Sequence, residues 1–101
     1  MATFATATIT GANQWTDPVR HIGNINVSVR RSDGAVGTLG GTTVTVQRSV
    51  DNSTWTDVDR WTSTAEDVGF EPELMWYRIG VKTAEHVVNV IVRLGREPGV
   101  A

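Results

Sequence analysis

The sequence predicts an all-β protein, a single antiparallel β-sandwich of about seven strands of the immunoglobulin or fibronectin type. Three observations predict it. Apolar and polar residues alternate with a period of two in run after run. Turn-forming residues stand between the runs. No window carries a helical period. The chain has 101 residues and no cysteine. That length suits one domain, residues 1–101, held by its own apolar core and without disulfide staples.

The elements follow in order. Thr3 to Thr10 alternates threonine with smaller and apolar residues, and β-branched threonine sits well on a half-exposed strand. This segment reads as a strand within a possible N-terminal contact arm, residues 1–10. Gly11 to Gly23 reads as irregular. Ile25, Val27 and Val29 then share one strand face, with Asn26, Ser28 and Arg30 on the other. Asp33 to Gly41 is the second irregular stretch. Val44, Val46 and Val50 form an apolar row that Arg48 interrupts. Val50 to Thr54 reads as a tight hairpin turn, returning through Trp55 to Trp61. A short strand follows over Ala65 to Phe70. Glu71-Pro72-Glu73 stops it, because proline has no N–H to give to a ladder. Met75 to Lys82 resumes, with Met75, Tyr77, Ile79 and Val81 on one face. Val88, Val90, Val92 and Leu94 form the last apolar row, and residues 95–101 read as a short flexible tail.

Charge and composition exclude several functions. Nine basic and eleven acidic side chains leave a net charge of −2, whereas duplex nucleic-acid binders carry a basic excess. The apolar runs fall far short of the ~18 residues that span a bilayer. Met1 to Thr10 lacks the basic start of a signal peptide. Neither nucleic acid nor membrane is expected as a partner.

No catalytic constellation is visible, so the chain is not expected to be an enzyme. His21 and His86 belong to no ligand spacing and read as solvated. There is no nucleophile elbow and no phosphate-binding glycine loop. Asp57, Asp59, Glu66, Asp67, Glu71 and Glu73 read as a solvated acidic edge that discourages aggregation. Asn52-Ser53-Thr54 has the form of a glycosylation sequon and reads as a turn. No catalytic residue, metal or cofactor is expected.

The four tryptophans are many for this length. Trp76 is out of phase with Tyr77 and Ile79, so it should face away from the core, as should Arg78. Trp55 and Trp61 share a phase, and Trp15 lies in a loop. Tryptophan and arginine are enriched at interface hot spots. A cation–π contact on the protein's own surface is the competing reading of the Trp76–Arg78 pair.

The segment from Val46 to Val58, with Gln47-Arg48-Ser49, Asp51, Trp55 and Val58 at their spacings, resembles a hairpin of small tailed-phage virion proteins. Trp76-Tyr77-Arg78-Ile79-Gly80-Val81-Lys82-Thr83 resembles the strand that follows it there, and Val92-Arg93-Leu94 resembles their closing strand. The resemblance covers a little over half the chain. It implies a structural part of a virion, made in the host cytoplasm. A capsid decoration or cement protein bound to the major capsid protein is the favoured form, and a neck or tail protein is the alternative. A homo-oligomer is compatible with either. The implied contact surface takes Phe4 and Ile9 from the N-terminal strand together with Trp15, Trp76 and Arg78. The tryptophan count supports a different class as well, a carbohydrate-binding module that stacks sugars on exposed indoles.

Overall fold

A computed structural model describes residues 2–96, with side chains from residue 5 onward. Seven strands form: β1 (Ala2–Ile9), β2 (Gln14–Trp15), β3 (Val19–Arg31), β4 (Val44–Ser49), β5 (Thr56–Trp61), β6 (Ala65–Val81) and β7 (Val90–Arg96). All ladders are antiparallel. They join every strand into one sheet of order β1-β7-β3-β6-β4-β5, with β2 added against β6. The all-β class and the antiparallel pairing are as the alternation predicts. The ladders form one connected, open sheet, where the immunoglobulin-type expectation had two separate ones.

With no helix among the described residues, the sheet and its loops, which contribute Leu39 and Val88, cover the apolar face. Val29, Val44, Ile79, Val81, Val90, Val92 and Leu94 are fully buried. The sheet therefore bends over one core, which gathers Ile25 and Val27 from β3, Val46 from β4, and Met75 and Tyr77 from β6. This burial is the main stabilising contribution, at about 25 cal/mol for each Å² of apolar surface removed from water.

The two long strands β3 and β6 carry the bend. Their register runs regularly from Val29↔Ala65 to Gly23↔Glu71, then shifts before His21↔Met75. Pro72 sits in that gap, where a ladder hydrogen bond is not required. Pro72 thus interrupts the ladder without ending the strand, and the two short strands expected around it are one of 17 residues. Gly23 lies opposite the gap with φ 99°, a backbone conformation that only glycine adopts readily. Glu71 Oε2 accepts the Glu73 N–H at 3.1 Å, which satisfies one donor that the interrupted ladder leaves over.

Several expectations change. Gly11 to Gly23 is not wholly irregular: it supplies β2 and the start of β3. His21 is a buried residue of β3 and not a solvated one. Its Nε2 lies 2.9 Å from Asn24 O and 3.1 Å from Gly23 O. Val50 lies past the end of β4 and is 74% exposed, so it leaves the apolar row. The N-terminal segment is not a free arm, because β1 pairs along its length with β7 of the same chain. Ile9 is 1% exposed in the core and cannot form an outer contact surface. Phe4 falls at the β1 register shift between Thr3 and Ala5, and its side chain lies outside the described residues. Gly95 and Arg96 are not a tail: they pair with β3 as the end of β7. Residues 97–101 lie outside the described residues.

Candidate functional site

The outer face of the β4–β6 region is built around Arg78. On β6, Tyr77 and Ile79 point into the core and Trp76 and Arg78 point away, as strand alternation dictates. Opposite them on β4 stand Ser49 and Gln47. Trp15 arrives from β2, which pairs Trp15 with Gly80. This close approach requires glycine, because a Cβ at Gly80 would lie 2.1 Å from the Gln14 carbonyl oxygen. Thr16 fixes the crossing: its N–H donates to Ile79 O at 2.9 Å, and its hydroxyl accepts the Ile79 N–H at 3.2 Å.

Trp55 reaches the same face through a bulge. The β4–β5 register pairs Val44 with Trp61 and Val46 with Asp59, then shifts so that Gln47 meets Asp57. The extra residue reverses the phase. Trp61 consequently packs against the core, and Trp55 lies outside with Arg78. Simple alternation puts both on one face, because it cannot count a bulge.

The Arg78 guanidinium lies between two indoles, its Cζ 4.2 Å from the Trp15 ring centre and 4.4 Å from that of Trp55. Such contacts are attractive electrostatically and gain strength as water is removed. Arg78 Nε donates to Gln47 Oε1 at 2.9 Å, and Gln47 Nε2 donates to Asp57 Oδ1 at 2.9 Å. Lys82 closes this row on the other Asp57 oxygen. Lys82 and Gln47 together hold the Asp57 carboxyl below its ordinary range. Burial lowers the Arg78 pKa. Among the described residues no carboxylate forms an ion pair with Arg78 and its Nη groups make no hydrogen bond. The site therefore offers a fixed, partly desolvated cation with two free donor groups.

Trp15, Arg78 and Trp76 share this outer face, but Trp76 and Arg78 do not stack on one another. Trp76 lies under Arg20 from β3, at 5.8 Å, and the cation–π reading holds with different partners. The indoles of Trp15 and Trp55 each have one face on Arg78. Trp55 lies outside the contact surface expected from the sequence. Its signal is the spacing from the hairpin turn, where Asp51 Oδ1 accepts the Ser53 and Thr54 N–H groups and fixes where the chain re-enters β5.

Not all of the acidic run is a solvated edge. Glu71 is 1% exposed. Arg48 Nε and Nη2 donate to its two oxygens at 2.9 Å each, and the Tyr77 hydroxyl donates to Oε1 at 2.6 Å. Burial pushes the Glu71 carboxyl up. The Tyr77, Glu73 and Arg48 bonds outweigh that and leave it below its ordinary value. Burial, then the Glu71 bond, pushes the Tyr77 hydroxyl up to about 12. This cluster plugs the core near the bend and explains why Arg48 occupies an apolar row. No group of three or more His, Cys, Asp or Glu among the described residues has a metal-binding arrangement, and no helix is long and apolar enough to cross a membrane.

No protein-family model matches this sequence, and no curated protein matches it. Among solved structures, the crystal structure of a mitogen derived from Yersinia pseudotuberculosis shares the fold, with a TM-score of 0.56. The likeness covers 96% of this chain and 86% of the mitogen at 16% sequence identity, which is a statement about fold. It overturns the tailed-phage reading. A solved structure that shares this fold is that of a Yersinia mitogen, not of a virion protein. The capsid-decoration role, the neck or tail alternative, the major capsid protein as partner and the virion location fall with it. The short motifs behind that resemblance are explained locally, by the Asp51 turn, the Trp55–Arg78 stack and the Tyr77–Glu71 bond.

Proposed function

We propose that this chain is a non-enzymatic binding protein that engages a protein partner through the Arg78 face. The observation that carries this reading is the Arg78 guanidinium, held between Trp15 and Trp55 with no acidic counter-ion among the described residues. Arginine flanked by aromatic rings is the composition of an interface hot spot. Two free Nη donors match a carboxylate in bidentate geometry, so the complementary feature is an acidic side chain on the partner. Holding Arg78 in place before binding reduces the ordering cost that association carries.

The test places a photo-crosslinking benzophenone residue at position 76, beside Arg78, and at position 36, whose valine is exposed on a loop. Both chains are produced in the cells that naturally make the protein. One discrete protein adduct from position 76 and none from position 36 is expected. The adduct should weaken about 30-fold in Arg78→Ala, the effect of a ~2 kcal/mol hot spot. Equal labelling from both positions, or an adduct indifferent to Arg78→Ala, would overturn the reading.

The shared fold favours a second, narrower reading, in which the chain stimulates cell division, as the name mitogen states for the Yersinia protein. Labelled chain added to primary mammalian blood cells would then bind saturably and raise DNA synthesis, and Arg78→Ala would do neither.

A further inference from the structure

A second surface lies on the opposite side of β6. Over Ala65–Glu71, β6 pairs with β3 on one side. On its other side no strand pairs with it among the described residues. The Val68 N–H donates to the side chain of its own neighbour, Asp67 Oδ1, at 2.9 Å. That N–H therefore points away from β3. By alternation the main-chain groups of Glu66, Val68 and Phe70 all point to the free edge.

The facing wall is the outer edge of β5. There the same device recurs: the Arg60 N–H donates to Asp59 Oδ1 at 2.8 Å. Between the two edges lies an open cleft of about 140 Å³, lined by Ile25, Val27, Val46, Val58, Trp61 and Tyr77 among others. Val68 and Phe70 on its rim are 77% and 69% exposed. Asp59 and Asp67 both line the cleft, and neither has an ion-pair partner among the described residues.

We infer that this edge accepts a β-strand from a partner protein, an extended segment of apolar residues that carries lysine or arginine. The three outward main-chain positions supply ladder hydrogen bonds, and the cleft and rim supply apolar contact. The two aspartates supply the choice of partner. Each holds an outward N–H in the free protein and becomes a free carboxylate when an incoming strand takes that N–H. A basic side chain on the incoming strand answers that charge. An edge meant only to repel other strands would bear charges and no exposed valine and phenylalanine. Pairing with a second copy is disfavoured, because it sets Glu66-Asp67 of one chain against Glu66-Asp67 of the other. This inference does not depend on the Arg78 face and stands if that face proves idle.

The experiment titrates the ¹⁵N-labelled chain with a capped eight-residue peptide alternating valine and lysine, and with the same peptide carrying glutamate for lysine. The lysine peptide should shift the Glu66, Val68 and Phe70 amides, slow their hydrogen exchange and bind about tenfold or more tightly than the glutamate peptide. Val68→Pro should abolish these changes. It removes an N–H that the native ladder does not use, at an edge where proline is tolerated. If Val68→Pro fails to fold, the double variant Asp59→Lys, Asp67→Lys should reverse the preference between the two peptides. Equal binding of both peptides, or shifts confined to other residues, would overturn the inference. So would a concentration-dependent dimer that moves the same amides without peptide, which would identify a second copy as the occupant.

Discussion

The two halves of β6 are one strand in two environments. From Met75 to Val81 it meets β4 on one side and β3, then β2, on the other, and Met75, Tyr77, Ile79, Gly80 and Val81 are buried. From Ala65 to Phe70 it is paired on one side and nearly every residue is exposed. Strand propensity does not separate them, since both halves carry aromatic and β-branched residues. What separates them is cover. The C-terminal half holds the fold together. The N-terminal half is held in shape by β3 alone and keeps its other edge and its apolar side chains open. Glu71 marks the boundary, with its carboxylate tied to Arg48 and Tyr77.

The contrast can be broken from the largest expected effect to the smallest. Ile79 is fully buried, and Ile79→Ala should cost about 2–5 kcal/mol of unfolding free energy, measured by urea denaturation. A loss under 1 kcal/mol would mean that the C-terminal half is not the stabilising one. Glu71→Gln should cost about 2–3 kcal/mol, because it leaves Arg48 without its counter-ion and weakens the Tyr77 bond.

The same substitution should change the pH dependence at both ends. The Glu71 carboxyl is lower in the folded protein than its ordinary 4.5. The stability it contributes is therefore present above pH 4.5 and lost as the pH falls below it. The Tyr77 hydroxyl is raised from 10 to about 12. Its contribution is present below pH 10 and lost as the pH rises from 10 towards 12. Glu71→Gln should remove the carboxyl's share of the acid limb and make the alkaline limb only somewhat shallower, because burial, the larger cause of the Tyr77 shift, remains; an unchanged acid limb would refute the assignment. The smallest effect belongs to the open half. Val68→Ala and Phe70→Ala should each stay within about 0.5 kcal/mol of the wild type. A larger loss would show that these side chains serve the fold.

The alternating runs made the class legible, and the core rows of β3 and β7 and the Val44 and Val46 positions of β4 fall where alternation puts them. The failures have local causes. Pro72 looked like a strand end because a sequence does not show that a bulge will absorb it. Simple alternation puts Trp55 and Trp61 on one strand face, and the bulge that reverses their phase depends on β4. Ile9 was in phase with Ala5 and Ala7, which pack on the core, so its burial could have been read directly. Arg48 in an apolar row was a signal that a buried acid must meet it, but which acid depends on the bend at Gly23. Of the Arg78 face, Trp15, Trp76 and Arg78 were identifiable by type and phase. Their true pairing was not, because it rests on the close crossing of β2 over Gly80.

The pairing of β1 with β7 has a mechanical consequence. Ala2 stands opposite Arg96 and Ile9 opposite Val90, so the first and last described residues lie side by side at one end of a ladder. Tension applied through them does not load the rungs together, as shear would. It opens them one after another, beginning at Ala2 and Arg96. The protein should therefore yield at low force when stretched between these two points, and resist far more when gripped at Ala2 and Val90, where the pull runs along the strands.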